Sequence, residues 1–252
     1  MTELPRVSVI VPFFNRQPSL TACIEALLNQ EDVGGPVEII MVDNGSTDDS
    51  AAVVRRYPQV TLLREESPGA YASRNAGIRQ ARAPLLAFTD ADCVTDRRWL
   101  QSVCDGMRDP GVAILIGHCR YPAEASWALT LLGAYENAKA EYVLTRCAPA
   151  YHFAYGNNMA VRASLFAQVG PFRLWARAAD TELVHRMTAA RPDLRVEFRP
   201  DMRITHLEFL RVRDRVRRLS LYTRTNAQIA SFRELGVAER AGVLLHLVRG
   251  SR

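Results

Sequence analysis

Lysine is almost absent from this sequence, in which Lys139 is the only one among 252 residues. Nearly all of the positive charge is therefore carried by arginine, and the formal net charge is +5. A positive excess suits an anionic partner such as a nucleotide, a lipid phosphate or a nucleic acid. The charge alone does not choose among these three.

Closely paired cysteines are also lacking. The five cysteines are odd in number and widely scattered, which disfavours both a zinc site and a disulfide framework. They fit a reducing compartment best, so a cytoplasmic location is expected. The cysteines are Cys23, Cys93, Cys104, Cys119 and Cys147.

Long apolar runs are lacking as well, because none approaches the roughly 20 residues needed to span a bilayer. Residues 2–7 have neither the basic start nor the apolar core of a signal peptide. The hydrophobic content of 48% is nevertheless enough for a sizeable core. We therefore expect one domain, or two tightly fused subdomains.

The first half of the chain alternates short β-branched runs with helical patterns. This alternation predicts an α/β fold with a mostly parallel central sheet and helices on both faces. Beyond about residue 118 the helical patterns become longer. Strands are predicted at 7–11, 37–42, 60–63, 85–88 and 195–198, and helices near 20–28, 50–57, 70–81, 127–144, 181–190 and 209–232.

Polar loops follow three of the predicted strands, at residues 12–16, 43–48 and 89–92. Ligands of such sheets bind beyond the carboxyl ends of the strands, so these loops are the candidate binding residues. The first loop contains no glycine, whereas a dinucleotide fold needs a glycine-rich turn there. A nicotinamide-dependent dehydrogenase is therefore disfavoured.

Asp90 and Asp92 lie one residue apart directly after a predicted strand. Carboxylate oxygens suit a hard cation such as Mg²⁺ or Mn²⁺, which completes its shell with water and substrate phosphates. The functional interpretation is a metal that bridges a diphosphate. The alternative is a solvated turn, where aspartate is common.

Several motifs, taken in order, resemble family 2 of the inverting glycosyltransferases. The resemblance covers roughly residues 7–206 and implies a GT-A fold with a Rossmann-like nucleotide half. No single motif is decisive, but their order is. The motifs are PFFN at 12–15, VDNGSTD at 42–48, GAYASRNAG at 69–77, TDAD at 89–92, GNNMAVR at 156–162, GPF at 170–172 and DTEL at 180–183.

The resemblance implies a nucleotide-sugar donor, a UDP-sugar in preference to a GDP- or dTDP-sugar. Asp43 would accept the ring N–H of uracil, and Arg74 would reach the base or the diphosphate with its planar fork. The alternatives are a helix-capping aspartate and a surface arginine. The implied nucleotide-binding residues are Pro12, Phe13, Asn15, Asp43, Arg74 and Asp90.

The resemblance also implies a divalent metal, Mn²⁺ or Mg²⁺, held by Asp92 with Asp90, and a general base at Asp180. His206 is similar to a histidine that related enzymes place at the metal, although a lone histidine can equally be structural. Asp180 could instead cap the helix that follows it. The residue before it, Ala179, departs from the acidic pair of the family.

The expected acceptor is a glycan, a lipid-linked molecule or a small molecule. Trp175, Arg177 and Asn158 are its candidate contacts, because an indole can stack on a sugar and an arginine can bind an anionic group. The alternative is that Arg173 or Arg177 pairs with Glu182 or stays solvated.

The implied organisation has a nucleotide-sugar-binding half at 1–116, an acceptor-binding and catalytic-base half at 117–208, and a helical segment at 209–252. Arginines alternate with apolar residues over 209–219, so this stretch could lie on the inner face of an anionic membrane or pack on its own domain. The competing classes are a sugar-nucleotide pyrophosphorylase or nucleotidyltransferase, and a non-catalytic nucleotide- or nucleic-acid-binding module. The acidic loops disfavour nucleic acid as a partner.

Overall fold

The computed structural model describes residues 3–175 and 177–213, together with positions 236, 238, 241, 242 and 244–246. A helix is predicted over 209–232 and an amphipathic stretch over 209–219. From residue 214 onward both predictions lie outside the described residues. In the described part, helical geometry begins at Val212 and not at Phe209. Among the helices described, none is long and apolar enough to cross a membrane.

The described residues form eight strands and seven helices, with one 3-10 turn at Pro149–Tyr151. The strands are β1 (Val7–Phe13), β2 (Val37–Asp43), β3 (Thr61–Arg64), β4 (Leu85–Thr89), β5 (Cys93–Thr95), β6 (Val112–Arg120), β7 (Asn158–Arg162) and β8 (Arg195–His206). The helices are α1 (Gln17–Leu28), α2 (Ser50–Val54), α3 (Ala70–Gln80), α4 (Trp99–Gly106), α5 (Trp127–Arg146), α6 (Ala163–Val169) and α7 (Ala179–Ala190).

All eight strands belong to one sheet, in the order β3-β2-β1-β4-β7-β6-β8-β5. The first half, β3-β2-β1-β4, is parallel throughout, as the alternation of strands and helices predicts. Antiparallel strands enter through β7, which pairs with both β4 and β6, and through β5, which pairs with β8. The second half of the sheet is therefore mixed.

Helices cover both faces of the sheet, and β1 shows why. Its side chains alternate, so that Val9 and Val11 pack into one buried cluster while Ile10 packs into the other. All three side chains are apolar because both faces are covered, which is why residues 9–11 form a continuous hydrophobic run in the sequence. The expected α/β fold with helices on both sides is confirmed.

The sequence patterns miss five elements, β5, β6, β7, α4 and α6, and they shorten β8 to its first residues. The extension of β8 matters most for the site. β8 continues to His206 and pairs antiparallel with β5, with Cys93 opposite His206. This pairing brings the end of β8 next to the acidic turn after β4.

Candidate active site

The loops after β1 and β2 are tied together by hydrogen bonds. The Asn15 side chain accepts the Thr47 N–H at 2.8 Å, and the Asn15 N–H donates to the Ser46 hydroxyl at 3.0 Å. Asn15 has a positive φ of 50°, a conformation that asparagine tolerates better than most residues. Asn15 therefore fixes the shape of this edge.

Asp43 ends β2 and is almost completely buried. One of its carboxylate oxygens accepts the Ser46 N–H at 2.8 Å, which closes the turn after the strand. The next residue, Asn44, anchors the loop between β3 and α3 through the Gly69 N–H at 2.7 Å and the Ser67 carbonyl at 2.8 Å. The loops after β2 and β3 thus form one wall.

An open cleft of about 190 Å³ lies at these strand ends. It contains the first loop and the acidic turn, so the structure brings Pro12, Phe13, Asp90 and Asp92 together as the sequence predicts. Its lining residues are Pro12, Phe13, Phe14, Arg16, Asn44, Ala70, Ser73, Asp90, Ala91 and Asp92.

Arg74 is buried beneath this cleft and is not a solvated surface arginine. Its guanidinium donates to the Asp90 carboxylate at 2.6 Å and to the Gly156 carbonyl at 3.1 Å. It also lies 5.3 Å from the centre of the Tyr71 ring, one turn earlier in α3. A Cβ at position 156 would be only 3.0 Å from the guanidinium, so glycine permits this close approach.

Three potential metal ligands, Asp92, Cys93 and His206, have donor atoms within 4.8 Å of one another. Burial and the neighbouring Asp90 raise the pKa of Asp92 to about 7. A buried carboxylate of this kind lacks full charge compensation and suits a cation. Burial also raises the pKa of the Cys93 thiol well above its usual range, so the thiol stays protonated. Asp92 and His206 are therefore the donors of this cluster that fit Mn²⁺ or Mg²⁺.

Two charged residues beside this cluster have no counterpart among the predicted site residues. The Arg16 guanidinium lies 3.6 Å from the Asp92 carboxylate and 3.4 Å from the Glu208 carboxylate. Arg16 directly follows the PFFN motif, so its position after a predicted strand could have marked it as a site residue. Glu208 gave no signal, because it reaches the cleft only through the pairing of β8.

Asp180 lies at the first turn of α7 and is buried. Its carboxylate accepts hydrogen bonds from the Gly156 N–H at 2.7 Å, the Thr181 N–H at 2.9 Å and the Tyr71 hydroxyl at 3.1 Å. Burial raises its pKa above the usual range, while Arg74 and the hydrogen bonds act in the opposite direction. Asp180 and Asp90 therefore share Arg74 as an electrostatic partner.

The segment that leads to α7 is held by α3. The Asn75 side chain exchanges hydrogen bonds with the backbone of Phe172, at 2.9 and 3.0 Å. Beyond this anchor Trp175 is exposed and Arg177 is half-buried, both close in sequence to Asp180. Arg173 lies 3.7 Å from Glu182, as the alternative interpretation of this loop expects.

The side chain of Asn158 is engaged in structural hydrogen bonds. Its side-chain oxygen accepts the Trp99 indole N–H at 2.8 Å, and its amide donates to the carbonyls of His118 and Met202 at 3.1 and 3.0 Å. Both amide protons therefore bind backbone of β6 and β8. This arrangement joins three strands, and we do not include Asn158 in the proposed acceptor site.

In open α/β sheets ligands bind beyond the carboxyl ends of the strands, which is where the first loop and the acidic turn meet in this chain. The family model "Glycosyl transferase family 2" matches residues 8–170, which is well over half of the chain. The chain therefore belongs to glycosyltransferase family 2. This membership confirms the resemblance and decides for a glycosyltransferase over a pyrophosphorylase.

Curated relatives support the same family. Glycosyltransferase AglE of Haloferax volcanii is 30% identical over 178 residues, which cover 68% of this chain and 57% of the relative. A validoxylamine A glucosyltransferase of Streptomyces hygroscopicus subsp. limoneus is 32% identical over 125 residues, which cover 48% of this chain and 28% of the relative. The chain thus spans less than two thirds of the length of either relative.

Solved structures share the fold at low sequence identity. A mannosyltransferase from Pyrobaculum calidifontis, in complex with GDP-Man and Mn²⁺, has a TM-score of 0.67 and 23% identity, and the match covers 97% of this chain and 69% of that one. Staphylococcus aureus TarS 1–349, in complex with UDP, has a TM-score of 0.62 and 17% identity over 96% and 70% of the two chains. These matches confirm the GT-A type of fold.

Proposed function

We propose that this chain transfers a sugar from a nucleoside-diphosphate donor, a UDP-sugar in the first place, to a hydroxyl of a glycan, lipid-linked or small-molecule acceptor. The anomeric centre is inverted in a single displacement. The observation that carries the proposal is a chain of hydrogen bonds between the cleft and a buried carboxylate. Arg74 donates to Asp90 and to the Gly156 carbonyl, and the Gly156 N–H donates to Asp180.

The donor side of the proposal rests on the acidic turn. Asp92 and His206, assisted by Asp90, would hold a divalent cation, and that cation supplies positive charge for the leaving diphosphate. Arg16 and Arg74 add fixed positive charge at the same edge. The preference for uridine rests on Asp43, whose carboxylate is a matched acceptor for the ring N–H of uracil.

The acceptor side rests on Asp180 as the general base. A buried carboxylate with a raised pKa is a stronger proton acceptor near neutral pH than an exposed one. Among the described residues its two oxygens accept three hydrogen bonds, and a carboxylate offers about four acceptor sites, so one remains for the acceptor hydroxyl. Trp175 and Arg177, on the preceding segment, are the proposed acceptor contacts.

Calorimetric titration with UDP and GDP, each with and without Mn²⁺, tests the donor assignment. We expect UDP to bind in the presence of Mn²⁺ and to lose at least about tenfold in affinity without it, because the acidic turn repels a diphosphate unless a cation intervenes. Tighter binding of GDP would move the assignment to a GDP-sugar. The absence of metal-dependent binding for both nucleotides would contradict the donor site.

Tyr71→Phe tests the support of the proposed base. Loss of the hydroxyl removes a hydrogen bond that lowers the pKa of Asp180, so the acidic limb of the pH profile of kcat/KM should move to higher pH. A hydrogen bond to a charged carboxylate contributes about 1.5–3 kcal/mol, so kcat/KM on the acidic side should fall by about 10- to 100-fold. Tyr57→Phe is the matched control, at a half-buried tyrosine whose hydroxyl lies 3.4 Å from the Glu25 carboxylate, and it should leave the profile in place.

A further inference from the structure

The first half of α5 exposes an apolar stripe. Trp127, Thr130, Leu131 and Ala134 are exposed, and they recur at the i, i+3, i+4, i+7 spacing of a face that normally packs on a core. Trp127 is 80% exposed and Leu131 55%. No charged residue interrupts the stripe, which therefore has the composition of an interaction surface.

Leu210 extends this stripe. Its carbonyl accepts the Ser126 N–H at 3.0 Å, directly before Trp127, and its side chain is 47% exposed. We call Trp127, Leu131 and Leu210 the α5 patch. The chain then continues into a run of arginines, of which Arg211 and Arg213 are described and exposed and Arg215, Arg217 and Arg218 follow in sequence.

The α5 patch is connected to the candidate active site by a short segment. Phe209, next to Leu210, is buried, and its ring centre lies 4.6 Å from that of His206. It also contacts the ring of Tyr121, with centres 6.4 Å apart. The α5 patch therefore lies close to the end of β8, because Leu210 belongs to the patch and its neighbour Phe209 contacts His206.

We propose that the α5 patch, with Arg211 and Arg213 beside it, forms a docking surface for an anionic lipid bilayer. An exposed tryptophan with leucines enters the interface between headgroups and acyl chains, and flanking arginines bind lipid phosphates. The charge favours a membrane over a second copy of this chain, because a two-fold contact through the patch would bring like-charged arginines of both copies together.

Co-sedimentation of the whole chain with vesicles tests this surface, without donor or acceptor, so that its outcome is independent of the proposed enzyme activity. We expect binding to vesicles that contain 30% phosphatidylglycerol, at least about tenfold weaker binding to pure phosphatidylcholine, and weakening at high salt. Trp127→Ala combined with Leu131→Ala should reduce binding about tenfold or more. Arg211→Glu should reduce it by roughly tenfold.

Matched controls lie elsewhere on the surface. Leu4→Ala removes a leucine that is 71% exposed before β1, and Arg56→Glu reverses an exposed arginine after α2. Both variants should bind vesicles like the unmodified chain. Equal losses in the controls and in the patch variants would overturn the proposal.

Tryptophan fluorescence locates the contact. Trp99 is buried and Trp127 and Trp175 are the exposed indoles, so vesicles with brominated acyl chains should quench a component that is lost in Trp127→Phe. Quenching that survives this change would overturn the proposal. So would a Trp127 emission that is already blue-shifted without vesicles, or a dimer that Trp127→Ala dissociates while vesicles do not bind.

Discussion

Asp180→Asn is expected to lower kcat for sugar transfer by about 10²- to 10⁴-fold, the range typical of a lost general base. Affinity for the nucleotide diphosphate should change by less than about twofold, since Asp180 belongs to the proposed acceptor side and is not among the residues that line the cleft. Transfer or donor hydrolysis gives kcat, and calorimetry gives the affinity. Survival of transfer in this variant would show that another group takes the proton.

The folding of this variant has to be measured together with its activity. The Asp180 carboxylate accepts backbone N–H groups of Gly156 and Thr181 on its two oxygens, and an asparagine can accept on only one side. One buried donor is then unpaired, which costs about 1–3 kcal/mol of the free energy of unfolding. Glu182→Gln is the matched control, because it replaces a buried carboxylate on the same helix that pairs with Arg186 at 2.8 Å.

Asp92→Asn is expected to abolish the metal-dependent part of nucleotide binding, a loss of at least about 30-fold, because changes even to groups that support a metal ligand cost about 10- to 100-fold in affinity. Calorimetric titration with UDP in Mn²⁺ checks this. Asp193→Asn, at an exposed residue paired with Arg191, should retain the full metal response. Retention of that response by Asp92→Asn would remove Asp92 from the metal site.

The same change should stabilise the metal-free protein at pH 8. Burial raises the pKa of Asp92 from 3.8 to about 7, so the folded state binds more protons than the unfolded state between these values, and stability falls as the pH rises through this window. Above it the ionised carboxylate carries its full cost, on the order of 4 kcal/mol at about 1.4 kcal/mol per pKa unit. Thermal unfolding without metal should therefore show a higher melting temperature for Asp92→Asn, by about 8–16 °C, and Mn²⁺ should reverse the order.

The parallel half of the fold could be predicted because its strands are local patterns. The apolar runs that become β1, β2 and β4 are buried on both faces, and the helices between them follow the expected alternation. Loops at the carboxyl ends of adjacent parallel strands must meet at one edge. The sequence therefore located the acidic turn and the first loop correctly in one cleft.

The antiparallel half could not be predicted in the same way. β6 and β7 contain buried apolar residues, but these residues do not specify which strands β6 and β7 pair with. The end of β8 illustrates this, since Ile204 is buried while neighbouring Arg203 is exposed, an alternation that a short strand window does not distinguish from a loop. Glu208, which pairs with Arg16, comes directly after that end and was missed with it.

The sequence by itself determined the family and the sheet edge that carries the acidic turn, and it predicted Asp90, Asp92 and Asp180 as the functional carboxylates. Only the tertiary structure decided their surroundings. Arg74 became a buried link between Asp90 and Asp180, and His206 came next to Asp92 through the pairing of β5 with β8. The physical reason is that side-chain burial and strand pairing depend on contacts between segments distant in the chain, which local patterns of residues do not encode.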